Sequence, residues 1–274
     1  MPDQAAAQIA NNAAFWRRDK YLQDYRNRIL NPAEVLILVR YVDQFRCRVV
    51  EIGCGAGRLL SYLVEIAAQT YGIDVSSAMV EYCRVTYPKA DVRTGDLRAL
   101  DESLDATFDV LFAADNVLDV LDDEERRRVL TEIRERHLAA GGLLVFSSHN
   151  LAHLDPAPGG RPVPGRTSGL VSLSRTLFDR SPIAIAERVA SLPQRRANRK
   201  RLGPLQYRAA DHAVINDLAH DYGLLHYYIR RDDQERQLGR LGFTLLECLE
   251  LDGATVPSGR DGAGSSLYYV ATAA

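Results

Sequence analysis

Three glycines alternate within the segment VVEIGCGAGRLL, residues 49–60, between an apolar run and a helical pattern. Gly53, Gly55 and Gly57 allow positive φ angles and let a ligand approach the backbone without meeting a Cβ atom. The helix that follows offers free N–H groups and the positive end of its dipole. These features predict a binding site for a nucleotide-like ligand at a turn between a strand and a helix.

Acidic residues stand on both sides of this turn. Glu51 precedes the first glycine, and Asp74 closes the apolar run YGIDV, 21 residues after Gly53. The dinucleotide fingerprint GxGxxG would require glycine at position 58, where this chain has Arg58. The pattern that is present, GxGxG preceded by an acid, resembles the first motif of class I S-adenosylmethionine (SAM)-dependent methyltransferases. A nicotinamide-dependent dehydrogenase is a weaker interpretation because of Arg58.

Later segments resemble successive strands of the same family, in the same order, from about Arg46 to the C-terminus. They read ADVRTGDL, FDVLFAADNVLDVL, LAAGGLLVFSSHN, FTLLECLEL and SLYYVATA. The resemblance implies an α/β fold with a Rossmann-like, seven-stranded, mostly parallel sheet, and it implies SAM as the cofactor. Alternating strands and helices from Val49 to Phe146 independently favour a parallel sheet covered by helices.

Four regions follow from these patterns. We expect an N-terminal helical cap over 1–45 and a SAM-binding core over 46–150. A lid is expected over 151–230, between the fifth strand and the next helix, followed over 231–274 by a helix and an antiparallel hairpin that complete the core. Within the lid, the stretch from Pro156 to Gly169 is rich in proline and glycine and is predicted to be a mobile flap.

The resemblance also implies roles for individual residues. Glu51 would hold the ammonium group of SAM or a water, and Asp74 would accept from both ribose hydroxyls. Asp96 would accept from the adenine amino group while the Leu97 N–H donates to the ring, although Asp96 could equally form an Asx turn. Met79 would pack on adenine, or else belong to the core. The complete predicted cofactor-binding set is Glu51, Gly53, Gly55, Gly57, Asp74, Val75, Met79, Asp96, Leu97 and Ala113.

Three residues are candidates for removing a proton from the acceptor. His149 follows Phe146-Ser147-Ser148 at the expected active edge of the sheet, where an imidazole could act as a base near neutral pH; a structural histidine is the equal alternative. Asp115 and Tyr227 are the others, and Tyr227 could equally be a strand core residue. His149 and His153 could pair on a metal, but the chain lacks a HExxH glutamate and places no third ligand, so no metal site is predicted.

Composition excludes several classes of protein. A net charge of −2, with 46% hydrophobic and 26% charged residues, is typical of a globular enzyme and gives no global attraction to nucleic acid or membranes. Four scattered cysteines without CxxC predict neither a disulfide framework nor a zinc knuckle. Neither a membrane span nor a secretory signal is expected, so the predicted location is the cytoplasm.

The basic segment RRANRKR, residues 195–201, lies in the lid and suits a small acidic acceptor. We therefore predict methyl transfer to oxygen or nitrogen of a small molecule, such as a sugar derivative or secondary metabolite. An RNA or protein methyltransferase that docks through the basic lid is an alternative, as is a non-catalytic SAM-binding module. Nucleic acid is not favoured, and AADN at residues 113–116 is not the (N/D)PPY motif of DNA adenine methylation.

Overall fold

The computed structural model describes residues 29–154 and 191–273, together with residues 8, 10–12 and 14–16. The predicted flap, from Pro156 to Gly169, lies outside the described residues, as does most of the predicted cap before residue 29. No helix in the described part of the chain combines the length and the apolar character needed to cross a bilayer.

One sheet contains all the strands of the described residues. The strands are β1 (Arg48–Ile52), β2 (Gln69–Asp74), β3 (Ala90–Thr94), β4 (Phe108–Ala113), β5 (Leu138–Asn150), β6 (Tyr207–Arg208), β7 (His212–Ile215), β8 (His226–Ile229), β9 (Phe243–Glu250) and β10 (Ser266–Ala273). The first five lie parallel in the order β3-β2-β1-β4-β5, and β10 lies antiparallel between β5 and β9. The predicted α/β class with a mostly parallel central sheet is confirmed.

Helices connect and follow these strands. Their bounds are α1 (Pro32–Arg40), α2 (Val42–Phe45), α3 (Leu60–Ile66), α4 (Ser77–Thr86), α5 (Asp123–Glu132), α6 (Leu151–Leu154), α7 (Leu192–Leu202) and α8 (Arg231–Arg240). A π-helical turn, Ile133–His137, joins α5 to β5. Asn31 caps α1 in a capping box with Glu34, and Ser76 caps α4, because each side chain accepts an otherwise unpaired N–H of the first turn.

The sheet has ten strands in the described residues, three more than the seven predicted. The three additional strands β6, β7 and β8 come from the region predicted as a lid. β4 pairs with β5 only as far as Phe146, so the last residues of β5 offer free backbone groups on that side. β8 uses them, pairing Tyr228 and Ile229 with His149 and Asn150. The described part of the insertion is therefore an extension of the sheet.

Two apolar layers hold the helices against the sheet. On one face, residues such as Val50, Leu111 and Phe146 pack beneath α5 and α8. On the other, Val49 and Val145 pack beneath helices that include α1 and α3. Because successive strand residues point to opposite faces, the central strands contribute to both layers, and all but one residue of β1 and of β4 are buried. The carboxyl ends of β1, β2, β4 and β5 are thereby fixed at one edge of the sheet.

Candidate active site

A cavity of about 320 Å³ opens at the carboxyl edge of the sheet, where ligands bind in doubly wound α/β folds. It collects most of the residues that the sequence indicated. Those that line it are Glu51, Gly53, Gly55, Asp74, Val75, Met79, Asp96, Leu97, Asp115 and His149. Residues separated by almost a hundred positions thus share one enclosed space.

The glycine turn and Asp74 form one wall. The backbone N–H of Gly55 donates to Asp74 Oδ2 at 2.8 Å, and that of Ser76 donates to Oδ1 at 2.9 Å. Burial raises the pKa of Asp74, and these backbone N–H groups partly offset the rise. Each carboxylate oxygen keeps a second lone pair, so Asp74 can still accept two hydroxyl groups.

Two glycines of this turn have different tasks, although both have positive φ angles. A Cβ atom on Gly53 would lie 2.2 Å from a methyl carbon of Val117, so packing requires glycine there. A Cβ atom on Gly55 would meet no protein atom within 4 Å. Gly55 lines the cavity, so the space beside it is available to a ligand.

Glu51 is buried, and its Oε2 has no hydrogen-bond partner among the described residues. Burial raises the pKa of Glu51 well above its usual range, although the nearby Arg58 guanidinium opposes the rise. Arg58 itself is held by Glu34, with Asp115 3.3 Å away. A buried acceptor without a partner is costly, so this carboxyl suits a ligand that brings a hydrogen-bond donor.

The His149 ring lines another part of the cavity and is held by Asp119. Its Nδ1 lies 2.8 Å from Asp119 Oδ2, which also accepts from the His149 backbone N–H at 2.6 Å. Asp119 is fully buried and pairs with the equally buried Arg126 at 2.5 Å. Burial alone would raise the pKa of Asp119, but Arg126 and His149 hold it below its usual value.

An ionised Asp119 fixes the His149 tautomer. Because Nδ1 donates to the carboxylate, Nε2 carries the lone pair and can take a proton. The Nδ2 atom of Asn116 lies 3.2 Å from this Nε2 and 2.9 Å from Ser266 Oγ. Asp115 and Asn116 have φ angles of 51° and 58°, an uncommon conformation for non-glycine residues that recurs at functional sites.

A second histidine–carboxylate couple faces the first. His226 Nδ1 lies 2.9 Å from Asp217 Oδ2, and the Tyr228 hydroxyl donates to the same oxygen at 2.5 Å. The rings of His226 and His149 are 4.9 Å apart. His220 and Trp16 complete this end of the cavity, with their rings edge to face at 4.9 Å.

Three predicted site residues lie elsewhere. Tyr227 is a residue of β8 and is fully buried. Its hydroxyl donates to Asp123 at 2.9 Å, and its ring stacks on His212. Side chains alternate along a strand, so its neighbour Tyr228 is the one that contacts His149, with ring centroids 4.7 Å apart.

The two other corrections concern small residues. Ala113 is buried in the core, and the next residue, Ala114, lines the cavity instead. Gly57 does not line the cavity: a Cβ atom there would lie 2.4 Å from the Tyr87 ring, so this glycine allows α4 to pack against the turn. Asp96 lines the cavity and also caps the following turn, accepting from the Arg98 backbone N–H and guanidinium.

The basic residues of α7 contact protein groups outside the cavity. Arg195 pairs with Asp221 at 2.6 Å, and the Arg199 guanidinium lies 5.3 Å from the Tyr222 ring centroid. Arg201 donates to Asn11 at 2.7 Å. The lining formed by the described residues includes no cation of α7.

Several residues of the site were not among the predicted ones: Asn116, Asp119, Arg126, Asp217 and His226. Asp119 gave the clearest signal, since it is a single acid inside the apolar run NVLDVL and must find a buried partner. Its partners Arg126 and His149 come from α5 and β5, and only the folded chain brings them together.

Comparison with known proteins agrees with this geometry. Residues 49–142, about a third of the chain, match the family model described as a methyltransferase domain. The chain is 31% identical over 153 residues to a trans-aconitate 2-methyltransferase from Azoarcus sp. (strain BH72), a match that covers 52% of this chain and 57% of that protein. The chain spans between 24% and 57% of the length of the curated relatives it matches.

Solved structures share the fold over nearly the whole chain. The CcbJ methyltransferase from Streptomyces caelestis superposes with a TM-score of 0.58 at 18% identity, covering 94% of this chain and 98% of that one. The glycopeptide N-methyltransferase MtfA complexed with (S)-adenosyl-L-methionine gives 0.55 at 15% identity, covering 90% and 96%. At these identities the likeness establishes the fold alone.

Proposed function

Because residues 49–142 form a methyltransferase domain, we propose that this chain transfers a methyl group from SAM to oxygen or nitrogen of a small molecule. One observation carries the proposal. Glu51, whose Oε2 has no hydrogen-bond partner among the described residues, lines the same cavity as the Asp74 carboxylate, the open backbone at Gly55 and His149.

The residues present fit SAM. Asp74 would accept the ribose hydroxyls, and Asp96 with Leu97 would bind adenine. Glu51 would take the ammonium group, which supplies the donor that its buried oxygen lacks. When bound, SAM supplies a methyl group already activated by its sulfonium.

Residues of this chain would position the acceptor, exclude water and remove the proton. The cavity walls would position the acceptor and exclude water, which lowers the entropic cost of reaching the transition state. His149 Nε2 takes the proton from a hydroxyl or amine acceptor as the new bond forms, and Asp119 stabilises the resulting imidazolium. The proton then passes to solvent.

A small acceptor suits the enclosed cavity better than a polymer does. Its volume lies at the lower end of the range for small-molecule sites. The relative named as a trans-aconitate 2-methyltransferase acts on a small molecule, which agrees with a small acceptor for this chain. RNA docking through α7 has less support, because Arg195 and Arg199 already contact protein groups.

Calorimetry and a turnover screen test this function. Titration with SAM and with S-adenosylhomocysteine should each release or absorb heat, whereas NAD should not bind. Release of S-adenosylhomocysteine should then depend on one member of a panel of sugar nucleotides, phenolics, amines and small carboxylic acids. Binding of NAD without binding of SAM would refute the proposal, and salt-sensitive turnover on RNA alone would favour the docking alternative.

Asp74→Ala is expected to weaken SAM binding by about 1.5–3 kcal/mol, the range for hydrogen bonds to a charged group. The measurement is the SAM dissociation constant by calorimetry. Asp105→Ala is a matched control, because the Asp105 side chain is 79% exposed and pairs with Arg93 on the surface. Equal affinities for the two variants would contradict the ribose role of Asp74.

Gly55→Val is expected to abolish detectable SAM binding while leaving a folded protein. The added Cβ atom meets no protein atom within 4 Å, and the side chain extends into space that the ligand would occupy. The positive φ costs about 1–2 kcal/mol. Gly53→Ala is the informative comparison, since its Cβ atom would collide with Val117 and should lower the melting temperature instead. Normal SAM affinity in a folded Gly55→Val protein would show that the cofactor lies elsewhere.

A further inference from the structure

The two histidine–carboxylate couples of the cavity have the same internal geometry. His149 is held through Nδ1 by Asp119, and His226 is held through Nδ1 by Asp217, at 2.8 and 2.9 Å. In the His149 ring this leaves the lone pair on Nε2, which lies 3.2 Å from Asn116 Nδ2. Histidines that bind metals almost always donate the second ring N–H to a carboxylate or carbonyl, as His149 does to Asp119, which fixes the tautomer and raises the basicity of the ligand atom. His226 Nδ1 and Asp217 Oδ2, by contrast, lie close enough together to bind one ion jointly.

Asp217 brings a third ligand atom to the same place. One oxygen or nitrogen atom each from His149, Asp217 and His226 can be chosen so that all three lie within 4.8 Å of one another. The Asp217 carboxyl is held in place, because its Oδ2 accepts from the Tyr228 hydroxyl at 2.5 Å and lies 2.9 Å from His226 Nδ1.

From this geometry we propose that His149, Asp217 and His226 form a binding site for a divalent transition metal such as Zn²⁺ or Co²⁺. Two imidazoles and one carboxylate are ligands that such metals accept, whereas Mg²⁺ and Ca²⁺ prefer oxygen alone. The spacing of His149 and His153 suggested a different pair, but His153 Nδ1 contacts the Ala263 carbonyl at 2.9 Å. The proposed partners of His149, Asp217 and His226, come from the part of the insertion that lies between β7 and α8.

Metal binding has a consequence for catalysis, which rests on the function proposed above. The lone pair of His149 can hold a metal or a proton, and it cannot hold both. Bound Zn²⁺ should therefore lower the turnover rate in proportion to its occupancy. SAM affinity should stay unchanged, because neither Glu51 nor Asp74 belongs to the proposed metal site.

Titration of the full-length protein with Co²⁺ tests the site without reference to activity. Visible d–d absorption should rise to saturation and should disappear when Zn²⁺ is added in competition. His226→Ala and the volume-conserving Asp217→Asn should each weaken Co²⁺ binding by at least about tenfold, the scale seen when a metal site loses one supporting group. Circular dichroism of both variants verifies that they are folded.

A second cluster in the described residues supplies the matched control. Asp101, Glu132 and His137 also place ligand atoms within 4.8 Å of one another, at the end of α5, with Asp101 exposed and His137 buried. His137→Ala should leave the cavity-dependent Co²⁺ spectrum unchanged. Loss of the spectrum in His137→Ala with retention in His226→Ala would overturn the proposal, as would absence of Co²⁺ absorption in the wild-type protein.

The two proposals fail separately. A protein that binds Co²⁺ through His226 yet releases no S-adenosylhomocysteine retains the metal site and loses the methyltransferase function. Turnover that is unaffected by a saturating Zn²⁺ concentration would overturn the inhibitory consequence, since His149 would then not be a ligand.

Discussion

Replacing Arg126 with methionine is expected to lower the free energy of unfolding by about 3–5 kcal/mol, the cost of leaving a buried charge without its partner. Arg126 and Asp119 are both fully buried, and the same guanidinium also donates to Gln234 at 2.8 Å and Ser148 at 3.3 Å. Methionine fills a similar space and leaves the Asp119 carboxylate to be protonated or solvated at the expense of the fold. Urea denaturation measures the change.

Arg127→Met is the control for this experiment, because it removes the same functional group one residue further along α5. Arg127 is 53% exposed and pairs with Asp123 at 3.0 Å, so its loss should change stability by no more than about 1 kcal/mol. If both variants are equally stable, the pair between Arg126 and Asp119 does not hold this part of the structure together.

His149→Ala is expected to lower the turnover rate by about 10²- to 10⁴-fold, the usual contribution of a general base, with SAM affinity nearly unchanged. The reason is that His149 is the ring whose tautomer Asp119 fixes at the edge of the cavity. Single-turnover kinetics with saturating SAM separate this effect from binding.

His153→Ala is the control, because it removes a nearby imidazole whose Nδ1 contacts the Ala263 carbonyl. This variant should retain normal turnover. Unchanged turnover in His149→Ala would instead assign proton removal to Asp115 or to solvent. Tyr227 is no longer a candidate for the base, since its hydroxyl donates to Asp123.

The sequence predicted the parts of this site that are formed locally. Gly53, Gly55 and Asp74 lie at the ends of two neighbouring parallel strands, so spacing along the chain determines their spacing in space. The caps Asn31 and Ser76 are local in the same sense, because a cap bonds within its own first turn.

The parts that depend on distant contacts were not predictable in this way. Whether Tyr227 or Tyr228 faces the cavity depends on the register of β8 against β5, and a shift by one residue exchanges the two faces. The pairing of Asp217 with His226 requires the turn between β7 and β8, and that of Asp119 with His149 requires the order of the sheet. The sheet is extended by β6, β7 and β8 because the end of β5 is not paired with β4. The apolar pattern of the sequence does not show where that pairing stops.

The attachment of β8 to the end of β5 also has a consequence for redesign. Residues 191–230 carry His220 and His226, which line the cavity, and β8 pairs with His149 and Asn150 of β5. A graft that exchanges this insertion for that of another protein would cut across a shared strand pairing. Chimeras that transplant residues 147–150 together with the insertion should therefore keep His149 aligned, whereas grafts that begin at residue 151 should misplace it.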